Sequence, residues 1–184
     1  MIVLSGASAS GKTEVAKVLA KDYGIIKIIT TTTRNMRINE INGRDYFFVS
    51  VDEFQKMIKE DRFVEYTKYN NNFYGSTKDQ IKDHRCGVFD PSGLKAYTAL
   101  NDPRIVTFYL QASEETRFNR MILRGDKKED ANKRILNDRV VFDESVASSV
   151  DYLIDSENNS VEEVAAFVVK LYKDELKKRH QLAK

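Results

Sequence analysis

The stretch Gly6-Ala7-Ser8-Ala9-Ser10-Gly11-Lys12-Thr13 satisfies G-x-x-x-x-G-K-[ST] at every position and restricts the possible folds more than any other part of the chain. It follows the apolar run Ile2 to Leu4, read as a short buried strand, and precedes Val15, Val18 and Leu19 at helical spacing. Strand, glycine loop and helix in this order open an α/β domain. Small side chains let the backbone wrap an anion, so that several N–H groups and the helix N-terminus point at one phosphate. Lys12 would supply a mobile positive charge for a transferred phosphate, and the Thr13 hydroxyl is placed to ligate Mg²⁺. A loop of this kind implies a purine nucleoside triphosphate, leaving hydrolysis, transfer and simple binding open.

Downstream, strands and helices alternate, which implies a mainly parallel sheet flanked by helices. Ile25 to Thr33 is β-branched enough to read as extended, and Tyr46 to Val49 as a further strand. Ser50 then opens a helix carrying Phe54, Met57 and Ile58. Phe63 to Tyr69 and Asn72 to Tyr74 read as two strands joined by an Asn-rich turn, a small antiparallel insert. Val88 to Asp90 is expected as a strand, with Pro91 starting a helix to Leu100. Ile105 to Leu110 reads as a central strand. Ser113 should cap a helix ending at Arg124-Gly125, a second charged helix covers Lys128 to Phe142, Tyr152 to Ile154 is the last strand, and Ser160 caps the terminal helix.

At 184 residues the chain fits one domain. Its 30 basic and 28 acidic side chains leave a net charge of +2, which argues against a nucleic-acid-coating or polybasic membrane protein. No apolar run approaches the ~20 residues of a membrane span, and the first residues do not read as a secretory leader. The single cysteine, Cys86, cannot form an intramolecular disulfide and more often fills space than reacts. His84 and His180 match no metal-ligand spacing. A cytoplasmic protein, monomeric or weakly dimeric, with no nucleic-acid or membrane partner, is expected.

Between the second and third strands lie Arg34 and Arg37, three residues apart, with Tyr46 shortly after. Guanidinium forks bind phosphate oxygens bidentately and a phenol adds a donor without charge, so these residues could form a second anion pocket. Glu65 and Tyr74 add a carboxylate and another phenol farther on.

With G-A-S-A-S-G-K-T, T-T-R-N-M-R-I-N-E-I-N-G-R-D-Y-F-F-V-S, F-V-E-Y, F-Y-G-S-T and R-G-D-K-K-E-D-A-N-K-R-I in this order, the chain resembles guanylate kinase, a P-loop nucleoside monophosphate kinase family. The resemblance covers nearly the whole chain. It implies a core of about 1–29, 85–118 and 143–184, a nucleoside-monophosphate insert of about 30–84 and a lid of about 119–142. It implies ATP on Gly6 to Thr13 with Mg²⁺ as cofactor, and GMP or dGMP as acceptor. Arg34, Arg37, Tyr46 and Tyr74 would hold the GMP phosphate, and Thr30 and Glu65 would face the guanine. Guanine presents N1–H and its 2-amino group as adjacent donors, which a carboxylate accepts as a pair; adenine offers no such pair.

Arg117, Arg120 and Arg124 lie on one helical face, with Arg134 and Arg139 on the next helix. By the resemblance Arg120, Arg124 and Arg134 are lid arginines that stabilise the charge of the migrating phosphoryl group, whereas Arg117 and Arg139 read as surface charges. The pattern breaks after F-Y-G-S-T, where the connection is also several residues shorter than the family's. Where the family carries D-x-D-x-x-G, this chain has Val88-Phe89-Asp90-Pro91-Ser92-Gly93, so Asp90 matches the second acid and Val88 replaces the first. Asp90 could serve the GMP site or simply begin the helix. The remaining alternatives are a non-catalytic guanylate-kinase-like binding module and a kinase for another nucleotide.

Overall fold

The computed structural model describes residues 1–182. In chain order its elements are β1 (Ile2–Ser5), α1 (Lys12–Tyr23), β2 (Ile26–Lys27), β3 (Thr31–Thr32), β4 (Phe47–Phe48), α2 (Val51–Lys59), β5 (Phe63–Tyr69) and β6 (Asn72–Thr77). A short 3₁₀ turn at Lys78–Gln80 leads to β7 (Arg85–Val88), α3 (Pro91–Ala99), β8 (Val106–Gln111), α4 (Glu114–Leu123), α5 (Lys128–Val141), α6 (Glu144–Ser148), β9 (Tyr152–Asp155) and α7 (Val161–Leu182).

Two sheets result. A five-stranded sheet of order β2-β7-β1-β8-β9 is parallel throughout, and a four-stranded mixed sheet of order β4-β3-β6-β5 forms the insert. The period-two alternation of strands divides the main core between the faces of the parallel sheet. Ile2 and Leu4 pack with Val15 and Leu19 of α1 and with Val164 and Val168 of α7, whereas Met1 and Val3 pack with Leu94 and Tyr97 of α3. Since β1 is central, with β2 and β7 on one side and β8 and β9 on the other, the loop after it opens at the topological switch point, where ligands of such sheets collect. The insert has its own core of Phe54, Met57 and Phe63, with the Phe54 ring stacked on Phe63 at 4.4 Å and on Phe73 at 5.3 Å.

Local signals account for most boundaries. The Ser50 and Ser113 hydroxyls accept from Glu53 N and Thr116 N, capping α2 and α4. Ser160 and Glu163 exchange reciprocal hydrogen bonds ahead of α7. Asn70 and Asn71 both take positive φ, 45° and 62°, as a tight hairpin between β5 and β6 requires.

Three expectations need correction. The β-branched run Ile25 to Thr33 is two strands in different sheets: Ile26 and Lys27 pair with Arg85 and Cys86, while Thr31 and Thr32 pair with Gly75 and Tyr74. The strand expected at Val88–Asp90 is Arg85–Val88, because Asp90 already caps α3 by accepting from Gly93 N at 2.9 Å. Arg117 is not a surface charge but is 6 % exposed. Helix α6 and the 3₁₀ turn have no counterpart in the sequence reading.

Candidate functional site

The phosphate loop is held in a shape that its small residues permit. Gly6 has φ 141°, and a Cβ there would lie 2.5 Å from the Leu110 carbonyl oxygen and 2.8 Å from Ser10 Oγ, so a side chain is excluded. Gly11 caps α1 at φ 97°, and Ala9 takes φ 60°, a left-handed conformation that costs a non-glycine residue about 1–2 kcal/mol. The Lys12 ammonium folds back over its own loop, donating to the carbonyls of Gly6 and, at 2.9 Å, Ala7. Burial lowers its pKa to about 8; the neighbouring Asp138 opposes this shift and Arg117 adds to it.

Beside the loop lies a cavity of about 380 Å³, lined by Ala9 through Val15, Arg120, Arg124, Ser156, Asn159, Val161 and Val164. Thr13 opens into it. Arg120 donates to the carbonyls of Ala9 at 3.3 Å and Ser156 at 2.5 Å, tying α4 across the loop. Arg124 is paired at 2.6 Å with Asp126, which also lies 3.7 Å from Arg134. Two of the expected lid arginines therefore line the cavity, and the third stands next to them on a shared carboxylate. Met121, Ala131 and Ile135 join α4 to α5 in a small core that packs against Ala9. Arg139, exposed and bound to Glu114 at 2.6 and 2.8 Å, is a surface charge as expected.

In the insert, Arg34, Tyr46 and Tyr74 come together. The guanidinium carbon of Arg34 lies 5.4 Å from the Tyr46 ring centre and 5.6 Å from that of Phe48, and the Tyr46 and Tyr74 rings meet edge to face at 6.2 Å. Glu40 holds Arg34 at 2.7 Å and accepts the Arg37 backbone N–H at 2.7 Å. These bonds hold the Glu40 carboxyl below its usual range, the Arg34 side-chain bond contributing most. The Arg37 side chain is exposed. Thr30 lies with Lys27, Arg44 and Tyr46 around a separate cavity of about 260 Å³.

Glu65 owes its direction to an irregularity. The β5–β6 register shifts between Phe63 and Glu65, a β-bulge that sets Glu65 opposite Ser76. Its Oε1 accepts from Ser76 N at 3.1 Å and Ser76 Oγ at 2.6 Å, and among the described residues Oε2 has no hydrogen-bond partner. Ser76 was not singled out from sequence, although it lies within the quoted F-Y-G-S-T; its signal is the cross-strand pairing, which is non-local. Beneath this pair the Tyr97 hydroxyl is fully buried beside Ser76 without a completed hydrogen bond. Asp90 spends one oxygen on capping α3, and Val88 supplies no carboxylate.

A parallel α/β sheet with an intact phosphate loop at its switch point, an arginine-bearing helical hairpin over the loop and an insert that carries an arginine–tyrosine cluster define a P-loop nucleotide-binding protein. The description "Guanylate kinase" belongs to the family whose model matches residues 1–175. The chain belongs to the guanylate kinase family. It is 30 % identical to the guanylate kinase of Clostridioides difficile (strain 630), over 96 % of this chain and 97 % of that one. It is 31 % identical to that of Wolbachia pipientis wMel, over 97 % and 92 % respectively. The crystal structure of guanylate kinase from Anaplasma phagocytophilum has the same fold, with a TM-score of 0.63 at 23 % identity, covering 96 % of this chain and 85 % of that chain. No helix among the described residues is long and apolar enough to cross a membrane.

Proposed function

We propose that the chain transfers the γ-phosphate of ATP to GMP or dGMP, giving ADP and the corresponding diphosphate. The observation that carries this reading is the presence in one insert of a guanidinium–phenol cluster, Arg34 with Tyr46 and Tyr74, and a carboxylate with a spare oxygen, Glu65. The first suits a phosphate and the second a paired donor edge such as guanine N1–H and N2–H. ATP would lie along Gly6 to Thr13, with its phosphates drawing Lys12 off its own carbonyls. Arg120, Arg124 and Arg134 would gather on the migrating group. Phosphoryl transfer needs position and positive charge more than covalent help, so none of these residues has to become a nucleophile.

The donor set fits magnesium brought in on the nucleotide. Among the described residues no group of three or more His, Cys, Asp or Glu could hold a metal by itself, whereas a hydroxyl such as that of Thr13 suits a hard cation that keeps phosphate and water ligands. When bound there, Mg²⁺ neutralises charge on the β- and γ-phosphate oxygens.

A coupled ADP-release assay across GMP, dGMP, AMP, CMP and UMP tests the proposal. Turnover confined to the guanine nucleotides supports it. Activity on another base points to a different kinase, and no turnover points to a binding module.

Gly75 offers a second test. A Cβ there would meet the Phe63 ring at 2.8 Å and the Glu65 carbonyl oxygen at 2.9 Å, so Gly75→Ala should push β5 away from β6. The expected result is a loss of about 1–3 kcal/mol in stability from overpacking, together with a raised KM for GMP and an unchanged KM for ATP. Thermal melts and steady-state kinetics check both parts; an unmoved KM for GMP would separate this strand pair from the acceptor site.

A further inference from the structure

Arg117 of α4 and Asp138 of α5, which the proposed chemistry does not use, are 6 % and 5 % exposed. They pair at 2.8 Å, and the pair encloses one residue of the phosphate loop. Asp138 Oδ2 accepts the Ser8 N–H at 2.8 Å, Asp138 Oδ1 accepts the Ser8 hydroxyl at 3.2 Å, and Arg117 Nη1 donates to the Ser8 carbonyl at 3.4 Å. Every polar group of Ser8 is thus engaged by two side chains that arrive from the lid helices.

Burying an ion pair is a poor way to stabilise a fold, because desolvation offsets most of the attraction and an apolar pair of similar volume often serves as well. An apolar pair could not, however, hold a loop N–H. We propose that Arg117 and Asp138 are positioning residues for the donor nucleotide: they set the phosphate loop at Ser8 and, from the same point, anchor the arm that carries Arg134. Arg134 precedes Asp138 by one helical turn and shares its face of α5. With Asp138 fixed on Ser8, that face is held toward the loop. The other end of the hairpin is also tied down, since Glu157 accepts from Ser113 N, Ser113 Oγ and Thr116 Oγ1 at 2.8, 2.9 and 2.6 Å. Between these two feet the hairpin carries Arg124 and Arg134, which share Asp126.

This inference rests on the phosphate loop being the ATP site. Its test is the double variant Arg117→Met/Asp138→Leu, which replaces the charges with apolar volume. The double variant should melt within a few degrees of the parent, yet bind ADP about tenfold more weakly by calorimetry. It should also show a raised KM for ATP and a reduced kcat, with KM for GMP within about twofold. Asp138→Asn, which retains an oxygen for the Ser8 N–H, should fall between parent and double variant, a rescue that a purely structural role would not produce. ADP affinity and kcat both within about twofold of the parent in the double variant overturn the proposal. If the double variant does not fold, Asp138→Asn decides: about a threefold loss of ADP affinity supports the positioning role and an unchanged affinity overturns it. A parent protein that binds ADP but phosphorylates no nucleotide would fail the proposed reaction and leave the ADP comparison intact.

Discussion

Lys12→Ala is expected to lower turnover by about 10³-fold while the protein still folds. The size follows from the reaction: the migrating phosphoryl group spreads negative charge over its oxygens, and one well-placed donor or cation in such a site is worth about 10²–10³ in kcat, more when it also positions the donor. The tolerance of the fold follows from the structure. Among the described residues the Lys12 ammonium bonds only to its own loop, at the Gly6 and Ala7 carbonyls and more weakly to Ser10 Oγ at 3.4 Å, and joins no second element. The depression of its pKa to about 8, caused first by burial, shows that the folded chain bears a cost in keeping that charge; removing the side chain relieves it. Coupled kinetics with circular dichroism melts form the measurement. Turnover within about tenfold of the parent would strip Lys12 of its role.

Glu65→Gln should cut kcat/KM for GMP by about 10²-fold and bring the GMP-to-AMP ratio down with it. The substitution is isosteric. Ser76 N and Oγ both point at Oε1, so the glutamine oxygen stays with Ser76 and its NH₂ takes the place of the free Oε2. A guanine edge would then meet two hydrogens with two of its own. Leaving buried donors unpaired costs about 1–3 kcal/mol each, which sets the expected magnitude. Kinetics on GMP and AMP read the ratio directly, and an unchanged ratio with a raised KM for both would move Glu65 out of the base pocket.

The parts of this structure that sequence reveals are those encoded within a few residues. The phosphate loop, the buried strand at the apolar run Ile2 to Leu4, the caps at Ser50, Ser113 and Ser160 and the Asn70-Asn71 turn each carry their cause in neighbouring side chains. Errors arise where a distant partner decides. Ile25 to Thr33 has the composition of one strand, but Arg85 and Cys86 claim its first part and Tyr74 and Gly75 its last; β-propensity cannot register that the chain changes sheets in between. Arg117 has the spacing of Arg120 and Arg124 and is sorted with surface charges until Asp138, far along the chain, neutralises it. Ser76 becomes prominent only when the bulge at Phe63–Glu65 sets it opposite Glu65.

Beside that bulge two neighbouring apolar side chains go to different cores. Phe63 belongs to the cluster under α2, while Val64, the next residue, packs with Met1, Val3, Leu94 and Tyr97 of the main body. The insert thus meets the main body at Val64 and, close by, where Ser76 lies beside the buried Tyr97 hydroxyl. Parting the two there would wet the Val64 side chain, a loss of about 1.5–3 kcal/mol of apolar contact, but would also give water to the unpartnered Tyr97 hydroxyl, so one group resists the separation and the other favours it.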